Sequence, residues 1–191
     1  GIRPARCYRD TSQRPWTRTS RRQKKAFVKG VPDPRIRSFD MGSLKEEDSE
    51  SQVDLYLSID CFIRDNALEA ARMAANRHIE KKLTKEGYYF KIRKFPHEVL
   101  REHAMLSGAG ADRLSSGMRH AFGKPKGRAV RYDKREPIMT MYVRAKDVPI
   151  AREALKKAGS KLPGSNRIEV IKMREPKVVE TNGKGRNKVL A

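Results

Sequence analysis

Residues 53–87, VDLYLSIDCFIRDNALEAARMAANRHIEKKLTKEG, carry two hydrophobic periods in succession, and the switch between them decides the fold. Val53, Leu55, Leu57 and Ile59 recur at every second residue, as on a half-buried strand. From Asp65 onward the spacing becomes three and four: Leu68, Ala71, Ala75, Ile79 and Leu83 form the stripe of an amphipathic helix. Asp65 suits the N-cap and Gly87 a left-handed stop, while Arg72, Arg77, Lys81 and Lys82 fall on the opposite, basic face.

The same alternation of periods extends in both directions. YYFKIRKFP (88–96) places Tyr88, Phe90 and Ile92 on one side and Lys91 and Arg93 on the other, a strand with one basic face. HEVLREHAML (97–106) is too short and mixed to assign. AVRYD (129–133) and PIMTMYVRA (137–145) read as two strands joined by the polar turn KRE, a hairpin. DVPIAREALKKAG (147–159) has the N-cap Asp147 and a first-turn Pro149, an apolar stripe of Ile150, Ala154, Leu155 and Ala158, and Gly159 as a stop. NRIEVIKM (166–173) gives a last strand. Upstream, Pro32 and Pro34 hold VPDPRIRSFDMG (31–42) extended, which reads as an edge strand, and SLKEEDSESQ is an acidic solvent-facing loop.

Strand, helix, strand, then hairpin, helix, strand points to an α+β fold: a two-layer sandwich, a mostly antiparallel sheet with two helices on one face. One domain is expected over 31–173, with a basic extension over 1–30 and an irregular tail over 174–191. No repeat at solenoid spacing is visible.

Charge limits the partners. Lys and Arg number 44 against 23 Asp and Glu, a net +21 on 191 residues, with a pI near 10.3. Such a chain repels itself and seeks polyanions. No apolar run approaches the roughly 20 residues that span a bilayer, and GIRPARCYRD lacks a signal peptide's apolar core, so a soluble intracellular protein with no membrane partner is expected. Cys7 and Cys61 are too few and too far apart for a disulfide framework or a CxxC metal site. The first 30 residues hold Arg3, Arg6, Arg9, Arg14, Arg18, Arg21, Arg22, Lys24, Lys25 and Lys29 against Asp10 alone, interleaved with Tyr8, Trp16 and Phe27. A segment of this composition folds only against a polyanion, where guanidinium and aromatic groups grip phosphates and stack on bases or sugars.

The stretch SGAGADRLSSGMRHAFGKPKGRA (107–129) invites nucleotide-binding readings and fails them. Gly108 and Gly110 make a G-x-G, but Arg113 stands where a dinucleotide fingerprint needs glycine. Five residues separate Gly117 from Gly123–Lys124 where a P-loop has four, and Pro125 takes the Ser/Thr position. His78, His97, His103 and His120 show no metal-ligand spacing, and Ser107, Ser115 and Ser116 lack the setting of a nucleophile elbow. No catalytic residue, cofactor or metal is assigned. What remains is a permissive backbone with spaced cations at Arg113, Arg119, Lys124, Lys126 and Arg128, suited to an arm reaching along RNA. Met118 and Phe122 either pack on a base or staple the loop to its own domain.

RPARCYRD, GVPDPRIRSFDMG, ALEAARMAANRHI, MLSGAGADRLSSGMRHAFGKPKG and ALKKAGSKLPG occur in this order in one family. The chain resembles the large-subunit ribosomal proteins of the universal L-sixteen family, in the archaeal and eukaryotic L-ten-e (QM) branch, over about Arg3 to Met173. The resemblance implies a structural, non-enzymatic role in the cytoplasmic large subunit: a seat on ribosomal RNA near the peptidyl transferase centre, among neighbouring ribosomal proteins, with incorporation late in assembly alongside assembly factors. It implies that Arg3, Arg6, Tyr8 and Arg9 lie on ribosomal RNA. It also implies that a loop at 107–128, often disordered without tRNA, points toward the tRNA acceptor arms. Gly108, Gly110, Asp112, Arg113, Gly117, Met118, Arg119, Phe122, Gly123, Lys124 and Gly127 match that loop motif, with Arg128 at its end. The tail after Met173 matches nothing in the family, and its shortness favours an archaeal source. The competing readings are a transient RNA-binding assembly factor and, more distantly, a phosphate-handling enzyme.

Overall fold

A computed structural model describes residues 3–8, 11, 28–45, 48–106, 108–119 and 121–172, the side chain of Asp112 excepted. The elements are β1 (Asp40–Gly42), β2 (Ser51–Leu57), β3 (Cys61–Arg64), α1 (Asp65–Glu80), β4 (Tyr88–Ile92), β5 (Glu98–Glu102), α2 (Ala111–Leu114), β6 (Lys124–Tyr132), β7 (Met139–Val143), α3 (Val148–Gly159) and β8 (Asn166–Lys172). All strand pairs are antiparallel. They form two sheets: five strands in the order β1-β4-β7-β2-β8, and three in the order β3-β6-β5. The architecture is the expected α+β sandwich, with its strands divided between two sheets.

One core joins the layers. Val53, Leu55 and Leu57 of β2, Phe90 and Ile92 of β4, and Met139, Met141 and Val143 of β7 face the helices and are buried. Leu68, Ala71, Ala75 and Ile79 of α1 are buried, as the spacing predicted. α1 packs on α3, and alanines on both (71 and 75; 151, 154 and 158) let the axes approach. α3 lies over β2, β7 and β8 of the large sheet, and α1 over β3 and β6 of the small one. The sheets are tied at the point where β2 turns into β3: the buried Leu57 N–H donates to the Tyr132 hydroxyl on β6 at 2.8 Å.

Several expectations need correction. β6 and β7 are not a hairpin; a turn at Asp133–Glu136, closed by Glu136 N–H to Asp133 O at 3.2 Å, carries the chain from one sheet to the other. β7 becomes a central strand between β4 and β2, and all five of its residues are buried. Strand β2 ends at Leu57, leaving Ile59 in the exposed turn beyond it. Of residues 31–42 only Asp40–Gly42 is strand, at the sheet edge against β4. Gly42, at φ +86°, is held there because any Cβ would run into the Tyr88 carbonyl. Asp65 is the first helical residue, not the cap, and is buried. Its Oδ2 accepts from Arg35 N–H at 3.2 Å, strapping the 28–37 segment across the start of α1. Gly87 is not a left-handed stop: α1 ends at Glu80 and Gly87 closes a 3-10 turn. Asp147 does hold the N-cap position of α3, without a side-chain capping bond.

The unassigned segment yields β5, and residues 124–128, read as loop, form the first half of β6 paired with it. Pro125 is tolerated in a strand that is central overall. β3 pairs only with Ala129–Tyr132, so at Pro125 one side of β6 is open, and the pairing with β5 shifts register there.

Candidate nucleic-acid interface

The amino-terminal motif and the glycine-rich loop meet at one end of the three-stranded sheet. Residues Ala5–Tyr8 form a 3-10 turn against β3. Arg3 N–H donates to Glu102 Oε1 on β5 at 2.6 Å, and Arg3 O accepts from Arg64 Nη1 on β3 at 3.3 Å. Arg3, Arg6 and Cys7 are exposed, and Tyr8 is half-buried. Lys29 is exposed beside buried Val28. Arg9, Arg14, Trp16, Arg18, Arg21, Arg22, Lys24 and Lys25 lie outside the described residues.

The loop leaves β5 at Glu102 and returns at β6. Its base is fixed twice: His103 Nε2 bonds Gly117 O at 2.7 Å, and Gly123 lies flat on the Glu102–His103 backbone. Beyond the base, Gly108, Gly110 and Gly117 have positive φ (129°, 77° and 56°) and open space on the side where a Cβ would project. Such a backbone can meet a ribose or phosphate without interference. Arg113 and Arg119 are exposed. Met118 is 68% exposed and does not staple the loop; Phe122 is 59% exposed, with the Arg101 guanidinium 3.8 Å from its ring centroid. Met105, Leu106 and Leu114 are exposed in the same region. Lys124 is exposed at the start of β6, Gly127 is buried opposite Leu100, and Arg128 Nε donates to Pro32 O at 2.8 Å, so it holds the strap instead of facing solvent freely.

Arg64, Arg101 and Glu102 were not among the expected site residues. The signal for Arg64 was its alternation with Phe62 on a short strand before the helix; Arg101 and Glu102 sit in the segment too mixed to assign.

Elsewhere the basic side of β4 is a stacked aromatic surface. Tyr89 and Tyr142 rings lie 5.7 Å apart, with Lys91 5.9 Å over one and Arg93 6.0 Å over the other. Arg93 also donates to Thr140 Oγ1 and Tyr142 Oη at 3.0 and 2.7 Å. On α1, Arg72 is turned onto Glu69 at 2.6 Å instead of presenting itself to solvent, and the Arg72 guanidinium holds the Glu69 carboxyl below its usual range.

His78, His97 and His103 take packing or surface roles, and His120 lies outside the described residues. His78 accepts from Lys157 Nζ at 2.7 Å, and an ammonium only donates, so the imidazole proton lies on Nε2, facing Glu153 Oε2 at 3.1 Å. Lys82 bonds the same oxygen at 2.8 Å, and Lys82 and His78 together lower the Glu153 carboxyl. His97 packs beside Phe95. Among the described residues no group of three His, Cys, Asp or Glu could hold a metal, and no helix is long and apolar enough to cross a membrane. The bond to Glu69 raises Arg72 in turn, and the other displaced titrations belong to phenols: burial raises Tyr88 to about 12 and also raises Tyr132 and Tyr56. These are features of packing and ion pairs, not of an acid–base pair in a cleft.

The chain is thus a two-sheet α+β domain whose tip exposes Arg3, Arg6, Arg113 and Arg119. Residues 15–169 match the family described as Ribosomal protein L16p/L10e, and the chain belongs to that family, one of ribosomal structural proteins and not of enzymes. It is 44% identical over 173 residues to a large ribosomal subunit protein uL16 of Archaeoglobus fulgidus, covering 91% of this chain and 95% of that one. It is 43% identical over 171 residues to that of Methanococcus maripaludis strain C7, covering 90% and 95%. With that of Staphylothermus marinus it shares 44% over 167 residues, covering 87% and 92%.

Proposed function

We propose that this chain is a structural constituent of the large ribosomal subunit that binds ribosomal RNA near the peptidyl transferase centre and helps place aminoacyl- and peptidyl-tRNA. The observation that carries the reading is the end-to-end similarity to uL16 proteins. The union of the Arg3–Tyr8 segment and the loop base at one tip of the small sheet supports it. Lys and Arg displace counterions from RNA phosphates, Arg3, Arg6, Tyr8 and Lys29 seat the domain, and the loop from His103 to Gly123 extends Arg113, Arg119 and Met118 toward tRNA. Peptide-bond formation belongs to RNA in this reading; the chain contributes position and charge, with no cofactor, metal or membrane. Its partners are large-subunit ribosomal RNA, tRNA, neighbouring ribosomal proteins and late assembly factors, in the cytoplasmic subunit, and the archaeal relatives favour an archaeal source.

Sedimentation of the full chain with large subunits tests the seat. A constituent stays with the subunit through a high-salt wash, whereas release by salt favours the alternative, a transient assembly factor. For the loop, Arg113→Ala with Arg119→Ala is expected to leave subunit incorporation intact and to weaken tRNA binding to the subunit. Unchanged tRNA affinity would remove the loop from that role.

A further inference from the structure

We infer that His103 is the positioning residue of the glycine-rich loop: its bond to Gly117 closes the segment between them into a preformed lobe, so that the loop is ordered before any RNA reaches it. The consequence for tRNA rests on the reading of the chain as a ribosomal protein whose loop faces tRNA.

The root of the loop is rigid. Glu102, the last residue of β5, pairs with Lys124, the first of β6, and the backbone of Glu102 and His103 is the seat of Gly123. His103 therefore stands on fixed backbone, and its half-buried side chain reaches Gly117 O, 14 residues further on, at 2.7 Å. A carbonyl only accepts, so the imidazole proton lies on Nε2. This bond divides the loop. The return leg from Met118 to Phe122 is short and ends on the Arg101 guanidinium, 3.8 Å from the Phe122 ring centroid. The longer part, before Gly117, is the lobe.

The lobe has turns of its own but no core. Ala111 N–H donates to Gly108 O at 3.2 Å, Arg113 N–H to Gly110 O at 3.2 Å and Ser115 N–H to Ala111 O at 2.8 Å. No described residue between Ala104 and Ser116 is buried. A segment that buries nothing keeps its shape through hydrogen bonds, and local turns alone leave its ends free to part. The bond from His103 is the long-range one: it ties the far end of the lobe back to the end of β5. Gly117 suits the acceptor's place, because its φ of +56° is open to glycine without strain.

The family resemblance implies a loop that is disordered without tRNA; the geometry of this chain supplies a fastener against that disorder. A segment that orders on binding loses contact energy to the ordering, whereas a latched lobe has met that cost in folding. Leu114 and Met118, 80% and 68% exposed, are then held out with the exposed Arg113 and Arg119 on one frame before a ligand arrives.

Amide exchange on the free full-length chain, without RNA, tests the lobe. The amides of Arg113 and Ser115 are expected to be protected in the wild type and to exchange about three- to tenfold faster in His103→Ala, the factor that one lost hydrogen bond represents, while β5 and β6 exchange as before. His103→Gln keeps an N–H at the reach of Nε2 and should restore the protection. Gly117→Ala keeps the carbonyl but disfavours its left-handed backbone, and should act in the same direction as His103→Ala. Equal exchange in the wild type and both alanine variants overturns the lobe. Large subunits carrying the same chains test the positioning: tRNA affinity should fall about three- to tenfold with His103→Ala and return with His103→Gln, since the competent fraction of the loop sets the apparent affinity. Should His103→Ala not fold, Gly117→Ala carries both measurements. Unchanged affinity in the latch variant, where Arg113→Ala with Arg119→Ala weakens tRNA binding, overturns the positioning role and leaves the tRNA reading intact. If the arginine pair also changes nothing, the reading of the loop as tRNA-facing falls and the positioning role with it, and the exchange result decides the lobe by itself.

Discussion

Gly123 lies on the backbone of Glu102: a Cβ added to it would stand 2.8 Å from the Glu102 carbonyl carbon and 2.9 Å from its amide nitrogen. Backbone on both sides cannot give way as a flexible side chain would. Gly123→Ala is therefore expected to separate the end of β5 from the start of β6 and to destabilise the fold by about 1–3 kcal/mol, the usual range for overpacking. Thermal unfolding measures the loss. Faster amide exchange at Glu102 and His103 would locate it, and unchanged exchange there would refute the close approach.

Glu102→Ala removes the acceptor of Arg3 N–H and frees the amino-terminal segment from β5. Since Arg3 is exposed and its amide finds water when released, the cost to global stability is about 1 kcal/mol or less. The larger effect is local: limited proteolysis should cut within the first residues faster than in the wild-type chain. Glu102→Gln keeps a carbonyl acceptor and should restore most of the protection. Equal cutting of all three proteins would show that Glu102 does not anchor the segment.

What was legible in the sequence was what short-range periodicity encodes. Alternation in β2 and β4 and the stripe of α1 gave the layers and most of the core. Partner choice was not legible: Met139–Val143 and the strand before it sit beside a turn-forming KRE, but β7 finds better burial for both faces between β4 and β2 than beside β6. Asp65 reads as a cap, yet Arg35, 30 residues earlier, claims its side chain. Residues 124–128 read as loop because Gly and Pro weaken any strand signal, and only the pairing to β5 rescues them. The tip followed the same division. Its motifs and charge were visible, whereas the link from Arg64 through Arg3 to Glu102 required the fold.

Tyr132 links the two sheets by accepting the buried Leu57 N–H. Tyr132→Phe keeps the ring in the core and deletes the acceptor, leaving a buried amide unsatisfied at a cost of about 1–3 kcal/mol. Denaturant unfolding should show a lower midpoint with an unchanged slope. A midpoint equal to that of the wild-type chain would mean that water or another oxygen reaches Leu57.

Glu153 at the acid end and Tyr88 at the alkaline end each contribute to the pH dependence of stability, beside Glu69, Tyr132 and Tyr56, which shift in the same directions. Lys82 and His78 hold the Glu153 carboxyl below its ordinary value, so its contribution is present above the ordinary glutamate range and fades as pH falls through the lowered value. Glu153 is exposed, so added salt should weaken that contribution, and Glu153→Gln should abolish its acid dependence. At the alkaline end the sign reverses. Tyr88 is buried, donates to Asn76 Oδ1 at 2.9 Å, and titrates at about 12 against 10.0 when free. The unfolded chain therefore releases this proton first, and the stabilisation from the neutral phenol is complete below pH 10 and is lost between 10 and 12. Tyr88→Phe loses the bond to Asn76 but also removes that alkaline term. Its unfolding free energy should fall less steeply than the wild type's across this interval, with tyrosinate absorbance recording the titration; equal slopes would show that Tyr88 ionises in the folded protein as readily as in the unfolded chain.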